Sequence, residues 1–214
     1  LKNKKSAYFD HLDVDNRILQ GSGFLTDKII NYVFSTLSPS ISTQVEMETA
    51  IKENIAVVHQ KTSTTSETYR LAVLEKLWNL ANANILYDVA DFIYATHLKG
   101  LALKNGNQNL INEIETTSRL RLGTKSPEIT WEKNGNIHSL SDLKAAENYI
   151  LIFWSSTCSH CVKEIPLLHK ELENYSNVTV LTIGLEDDEI NWKKEVANLP
   201  NFEHVLALGK WESV

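Results

Sequence analysis

A chain of 214 residues has room for one large or two small domains, and 43% apolar residues with few glycines and prolines describe an ordered globular protein. A net charge of -6, with no basic run beyond Lys2-Asn3-Lys4-Lys5, argues against a nucleic-acid binder. No stretch approaches the ~18 apolar residues of a membrane span, and no apolar signal core follows Leu1, so the chain reads as processed or trimmed.

Residues 1–24 are polar and mixed, with Tyr8-Phe9-Asp10 as an aromatic anchor and Gly21-Ser22-Gly23 as a breaker. From Thr26, read as an N-cap, the spacing of Ile29, Ile30, Val33, Phe34 and Leu37 predicts a helix that stops before Pro39. A second helix is expected from about Ser42 to Val58. A third, capped by Ser66 or Thr68, carries Leu71, Leu74, Leu77, Trp78 and Ala81 on one face. A fourth reads as continuous from Ile85 to Leu103, and a shorter one surrounds Leu110, Ile111 and Ile114. His59 and His97 stand isolated in this pattern and read as ordinary surface or core histidines. The half as a whole reads as a helical module for packing or for binding a partner.

After Gly123 the periodicity changes. Ile129 to Glu132 alternates apolar and polar, Asn134-Gly135 signals a hairpin turn, and Asn136 to Ser139 is the return strand. Ser141-Asp142-Leu143 starts a short helical turn. The apolar run Tyr149 to Trp154 predicts a buried strand, followed by a helix from Cys158 to about Tyr175, a strand over Val178–Leu185, a helix over Glu189–Leu199 and a last strand over Phe202–Leu208. Two buried strands around a helix make a βαβ unit, which should be parallel. Charge follows the same division: residues 1–120 carry 12 Lys/Arg against 13 Asp/Glu, and residues 121–214 carry 9 against 14. The expected organisation is therefore an all-α domain over 1–120 and an α/β domain over 121–214.

Cys158 and Cys161 are the chain's two cysteines, in Cys158-Ser159-His160-Cys161. A disulfide closing so short a loop removes little entropy from the unfolded chain and is a poor staple. On a first helical turn, however, residues three apart lie roughly 5 Å apart at Cα, within reach of a disulfide, so the pair can open and close without large backbone movement. The helix N-terminus offers unpaired N–H groups and partial positive charge that favour a thiolate at Cys158, to which a protonated His160 would add. The motif reads as a redox switch, strengthened by its place between an apolar strand and a helix. Half of a zinc site, with His160 or His169 as further ligands, and a pair of inert buried thiols are the competing readings.

The chain from about residue 120 onward resembles the thioredoxin superfamily, in its TlpA/ResA-like branch. Gly123, Ser126-Pro127, Leu140-Ser141-Asp142-Leu143, Phe153-Trp154, Cys158-Ser159-His160-Cys161, Glu164, Pro166, Trp192 and Trp211 carry the likeness. The helical half, with Tyr8-Phe9-Asp10, looks like the domain that precedes such modules in envelope proteins of Bacteroidetes-type bacteria. The resemblance implies a thiol-disulfide oxidoreductase without a cofactor or metal, acting on protein thiols and disulfides with a redox partner, in the periplasm or cell envelope, with anchoring upstream of this chain. It implies Cys158 as attacking thiolate, Cys161 as resolving thiol, Glu164 as a carboxylate that tunes the pair or moves protons, and Trp154, Thr157 and Pro166 as surroundings, with Pro166 kinking the helix. Two departures follow. The buried aspartate expected six residues before the first cysteine is Ile152, and the cis-proline loop with its strands is expected beyond Val214.

His160 between the cysteines favours the reduced form and a more oxidising pair, whereas the resemblance implies a reductant. Reductase or isomerase is the expectation. The alternatives are a thioredoxin-like scaffold whose helical half holds a partner, and a peroxidase, against which the placement of Thr157 next to Cys158 speaks.

Overall fold

Apolar residues at three- and four-residue intervals reach a common face only in a helix, and residues 17–119 form a succession of them. The structure, a computed structural model, describes residues 5, 7–144 and 146–213, with 212 and 213 lacking described side chains. The chain divides into two compact units, Leu1–Leu122 and Gly123–Val214.

The first unit contains α1 (Arg17–Gly21), α2 (Phe24–Ser35), α3 (Gln44–Lys61), α4 (Glu67–Ala83), α5 (Tyr87–Ile93), a π turn (Tyr94–Leu98), α6 (Lys99–Lys104) and α7 (Gln108–Arg119). Ile29 and Val33, Ile51 and Ile55, Leu74 and Leu77, Val89 and Ile93, and Ile111 and Ile114 meet in one core. Phe9 joins it, packed on Tyr8 and Tyr32. Asn54, 1% exposed, donates to the carbonyls of Tyr32 and Val33 at 3.2 and 3.0 Å. Those are carbonyls that the end of α2 leaves without an intrahelical partner. Arg121 is held by Asn82 and Asp91 and lies over the rings of Trp78 and Tyr87.

Several boundaries depart from the periodicity. Thr26 lies inside α2 and does not cap it: Gly23, at φ 78°, lets the helix begin at Phe24. Thr43 caps α3 through a reciprocal pair of bonds with Glu46, and Ser66 caps α4. The expected fourth helix is interrupted by the π turn, a single-turn bulge of the kind found inside α-helices. His97 lies in that turn and packs on His59, ring centroids 4.3 Å apart, so the two histidines that looked isolated are neighbours. Burial lowers both pKa values, helped by Arg70 at His59 and by His59 at His97. Ile85, which follows the end of α4, has φ 61°, a conformation strained for a β-branched residue.

The second unit opens with a hairpin of β1 (Thr130–Lys133) and β2 (Asn136–Ser139). Asn134 and Gly135, at φ 56° and 77°, have the two positive φ values of a type I′ turn. Then follow β3 (Asn148–Trp154), α8 (Cys161–Leu172), β4 (Val178–Glu186), α9 (Ile190–Val196) and β5 (Glu203–Leu208). The three strands are parallel in the order β3-β4-β5. β4, flanked on both edges, is buried along most of its length, as a near-continuous apolar run in a parallel sheet should be. Leu181, Ile183 and Leu185 pack with Trp131, Val205 and Ala207. Trp154 packs with Ile165, Leu199, Ile152, Cys161 and Trp192 in a separate cluster. No described helix is long and apolar enough to cross a membrane.

His204 on β5 donates through Nε2 to the Leu199 carbonyl at 3.0 Å and stands 2.7 Å from the Thr182 hydroxyl through Nδ1. Burial lowers its pKa from 6.5. The unfolded chain therefore takes up a proton at a pH where the folded imidazole does not, so this contribution is complete above about 6.5 and is lost as pH falls toward the folded value. Chemical denaturation should show stability falling as pH drops below about 6.5, with a smaller fall in His204→Gln. Ile85→Asn should raise stability by roughly 0.5–1 kcal/mol, because asparagine tolerates the left-handed backbone and the isoleucine is 56% exposed. A lower denaturation midpoint would contradict that.

Candidate active site

β3 delivers the chain to Trp154, 3% exposed, and the turn that follows carries Cys158 to the entrance of α8. The helix begins at Cys161, not at Cys158 as the spacing suggests. Ser155 explains the shift, since its carbonyl accepts the Cys158 N–H at 3.0 Å and holds that residue in the turn. The Cys158 carbonyl nonetheless accepts the Val162 N–H at 3.1 Å, and its sulfur receives the Cys161 N–H at 3.4 Å. Cys158 thus makes the side-chain contact of a helix-capping residue.

Both cysteines are free thiols and partly exposed. The Cys161 thiol lies 2.7 Å from the Cys158 sulfur and donates to it. That bond is the largest cause lowering the Cys158 pKa, followed by the Cys161 N–H, with the His160 N–H also contributing. Burial, then the same thiol–thiol bond, raises the pKa of Cys161. Ionisation is thus favoured at Cys158 over Cys161.

His160 is exposed, and its contribution to Cys158 comes from its peptide N–H. Glu164 is exposed on the first turn of α8. Among the described residues no hydrogen bond joins Glu164 or the His160 ring to either sulfur. Thr157 is exposed, with its hydroxyl 2.9 Å from Ser155 Oγ and its N–H on the same atom at 3.3 Å. Pro166 lies within α8 on an exposed position. Trp154 packs behind Cys161. No three His, Cys, Asp or Glu among the described residues stand together as metal ligands would. His169 instead donates through Nε2 to the Pro200 carbonyl at 2.6 Å and packs on Phe202.

Two residues of this neighbourhood escape a reading of the motif alone. Glu186, at the end of β4 and 3% exposed, accepts the Ser156 N–H at 2.5 Å and the Ser155 hydroxyl at 3.3 Å. In the sequence it is the first residue of the acidic run Glu186-Asp187-Asp188-Glu189, although its place closing a buried strand is the available signal. Gly184 is the second. A Cβ there would lie 2.4 Å from Trp192 Cδ1 and Nε1, so the indole occupies the space of the missing side chain.

No family model and no curated protein matches the chain. Solved structures do. The thioredoxin domain of a thiol-disulfide oxidoreductase from Bacteroides vulgatus is 31% identical over 39% of this chain and 62% of its own, with TM-score 0.34. A protein described as a thiol:disulfide interchange protein DsbE, from Chlorobium tepidum, is 22% identical over 40% and 62%, with TM-score 0.35. A thioredoxin-like protein from Bacteroides caccae is 14% identical over 94% of this chain and 74% of its own, with TM-score 0.45. The chain is similar to thioredoxin-like proteins. It spans 62% of the length of each of the first two structures.

Within the second unit the indole of Trp192, like Cys161, packs against the cluster of Trp154, Ile165 and Leu199. Gly184→Ala should therefore destabilise the chain by about 1–3 kcal/mol through overpacking. Equilibrium denaturation checks this, and Trp192→Leu in the same background should return part of the loss.

Proposed function

We propose that the chain is a thiol-disulfide oxidoreductase of the TlpA/ResA-like kind, which exchanges the Cys158–Cys161 pair with thiols and disulfides of partner proteins in the bacterial cell envelope. The observation that carries the reading is the asymmetry of two sulfurs 2.7 Å apart, with Cys158 lowered in pKa and Cys161 raised. The likeness to thiol-disulfide oxidoreductases accords with it.

In the reducing direction, the Cys158 thiolate attacks one sulfur of a partner disulfide. A bond forms between Cys158 and that sulfur, and the other partner sulfur leaves as a thiolate and takes up a proton. Cys161 then loses its proton and attacks the Cys158 sulfur, which releases the second partner thiolate. The partner has gained two electrons, and the dithiol has become a disulfide that a reducing thiol partner must reopen. Glu164, one turn beyond Cys161, is the proposed carrier of the Cys161 proton, and His160 the proposed modulator of Cys158. Thr157 and Trp154 shape the approach and the backing of the pair, and Pro166 bends the helix that carries it. Reductase or isomerase is the proposed direction.

Alkylation of the reduced chain tests this directly. Cys158 should react at neutral pH faster than a free cysteine, along a rate profile whose apparent pKa lies below the ordinary thiol value, and Cys158→Ser should abolish the fast phase. Cys161→Ser should accumulate a mixed disulfide with a protein substrate, because the resolving thiol is gone. A Cys158 no faster than free cysteine, with no mixed disulfide formed, would leave a scaffold in place of an enzyme.

A further inference from the structure

A buried carboxylate is costly unless hydrogen bonds and nearby charge compensate it. Glu186 is such a group, and neither of its side-chain bonds serves the sheet. Its two oxygens hold the backbone of Ser156 and the hydroxyl of Ser155, two residues beyond the end of β3. From there the bonds run onward through one short turn. Ser155 Oγ stands 2.9 Å from the Thr157 hydroxyl and accepts the Thr157 N–H, and the Ser155 carbonyl accepts the Cys158 N–H. The N–H groups of residues 156, 157 and 158 are thus all engaged, and the first of them by Glu186.

The register shows why this residue reaches the turn. Trp154 pairs with Gly184, so two residues further on Glu186 lies beside Ser156, at the carboxyl ends of the strands where ligands of open parallel sheets sit. The same residue is tied down on its other side. Its carbonyl accepts the Gly209 N–H at 3.2 Å, and its charge acts on Lys210, whose amine pairs with Asp187 at 2.8 Å.

We infer that Glu186 is the positioning residue of the cysteine pair: by anchoring the Ser155–Ser156 turn it sets the distance and direction of the Cys158 sulfur relative to the Cys161 thiol and N–H. The inference rests on the redox reading of that pair. It acts through the turn, with no contact between the carboxylate and a sulfur. Held turn geometry keeps Cys158 Sγ on its donors, and a loosened turn releases it toward the behaviour of a free thiol.

The experiment is the rate–pH profile of the reduced full chain with a chromogenic aromatic disulfide, together with hydrogen exchange at the Ser156 amide. Glu186→Ala should raise the apparent pKa of Cys158, slow the neutral-pH reaction by about tenfold and expose the Ser156 amide to exchange. Glu186→Gln, whose amide oxygen accepts the same N–H, should recover most of the rate and the protection. Ser155→Ala should shift the profile in the same direction as Glu186→Ala, and the double variant should show less than the sum of the two effects. A wild-type profile in Glu186→Ala overturns the inference, and so do equal shifts from Gln and Ala, which would make charge and not position the cause. Should Glu186→Ala fail to fold, a wild-type profile in Ser155→Ala overturns it equally. A wild-type Cys158 no faster than free cysteine, with the Ser156 amide still protected by Glu186, would sink the redox reading while leaving the anchor intact.

Discussion

Two parallel strands cannot be joined by a tight turn, so β3 and β4 require a crossover that returns the chain to the starting edge. α8 provides it, and its start is confined to the space beyond the carboxyl end of β3. The seven paired positions from Asn148↔Val178 to Trp154↔Gly184 fix where that space is. The dithiol follows from this geometry. Cys158 stands where the strand has ended and the helix has not yet closed its first turn, so peptide N–H groups converge on its sulfur while little packing covers it. Cys161, three residues later, is already on the helix and packs against the cluster of Trp154, Ile165 and Leu199. Burial that suppresses ionisation and donors that promote it are thereby separated over one turn of chain.

The layer behind the pair is closely packed for a related reason. Gly184 lets an indole lie directly on β4, and that indole shares a cluster with Trp154, Ile165 and Leu199. His204, bonded to both Thr182 and the Leu199 carbonyl, ties β5 to the strand beside it and to the loop that follows α9. The sheet end that presents the cysteines is therefore supported by aromatic packing on one face and by a neutral, hydrogen-bonded imidazole further along. The helical unit makes its own core from interlocking faces of α2, α3, α4, α5 and α7.

Much of this architecture is legible in the sequence because it rests on local rules. The switch from helical spacing to strands after Gly123, the Asn134-Gly135 turn, the Ser66 cap and the strand–cysteine–helix order each have a short-range signature. What escapes depends on contacts that no window contains. Gly23 displaced Thr26 as the start of α2 because a glycine can take a left-handed backbone, and only neighbouring helices decide whether the chain uses it. The π turn inside the fourth helical segment leaves the apolar spacing nearly unchanged. His59 and His97 are 38 positions apart and meet only when α3 packs near that turn. α1 is too short to show a period, although Asn16 marks its start by accepting from Ile18 and Leu19. At the site, the cysteines and Trp154 announce themselves by type and spacing. Glu186 does not, since an acidic residue before Asp187-Asp188-Glu189 looks solvated until the register places it beside Ser156.

The hydrogen bond from the Cys161 thiol to the Cys158 sulfur has an electrochemical consequence. A dithiol that shares one proton between its sulfurs loses the first proton easily and the second with difficulty, so over the pH range between those two losses the reduced pair is a monoanion. Oxidation of that species gives up two electrons and only one proton. The midpoint potential should then drift by about 30 mV per pH unit, half the slope of a pair that sheds two protons.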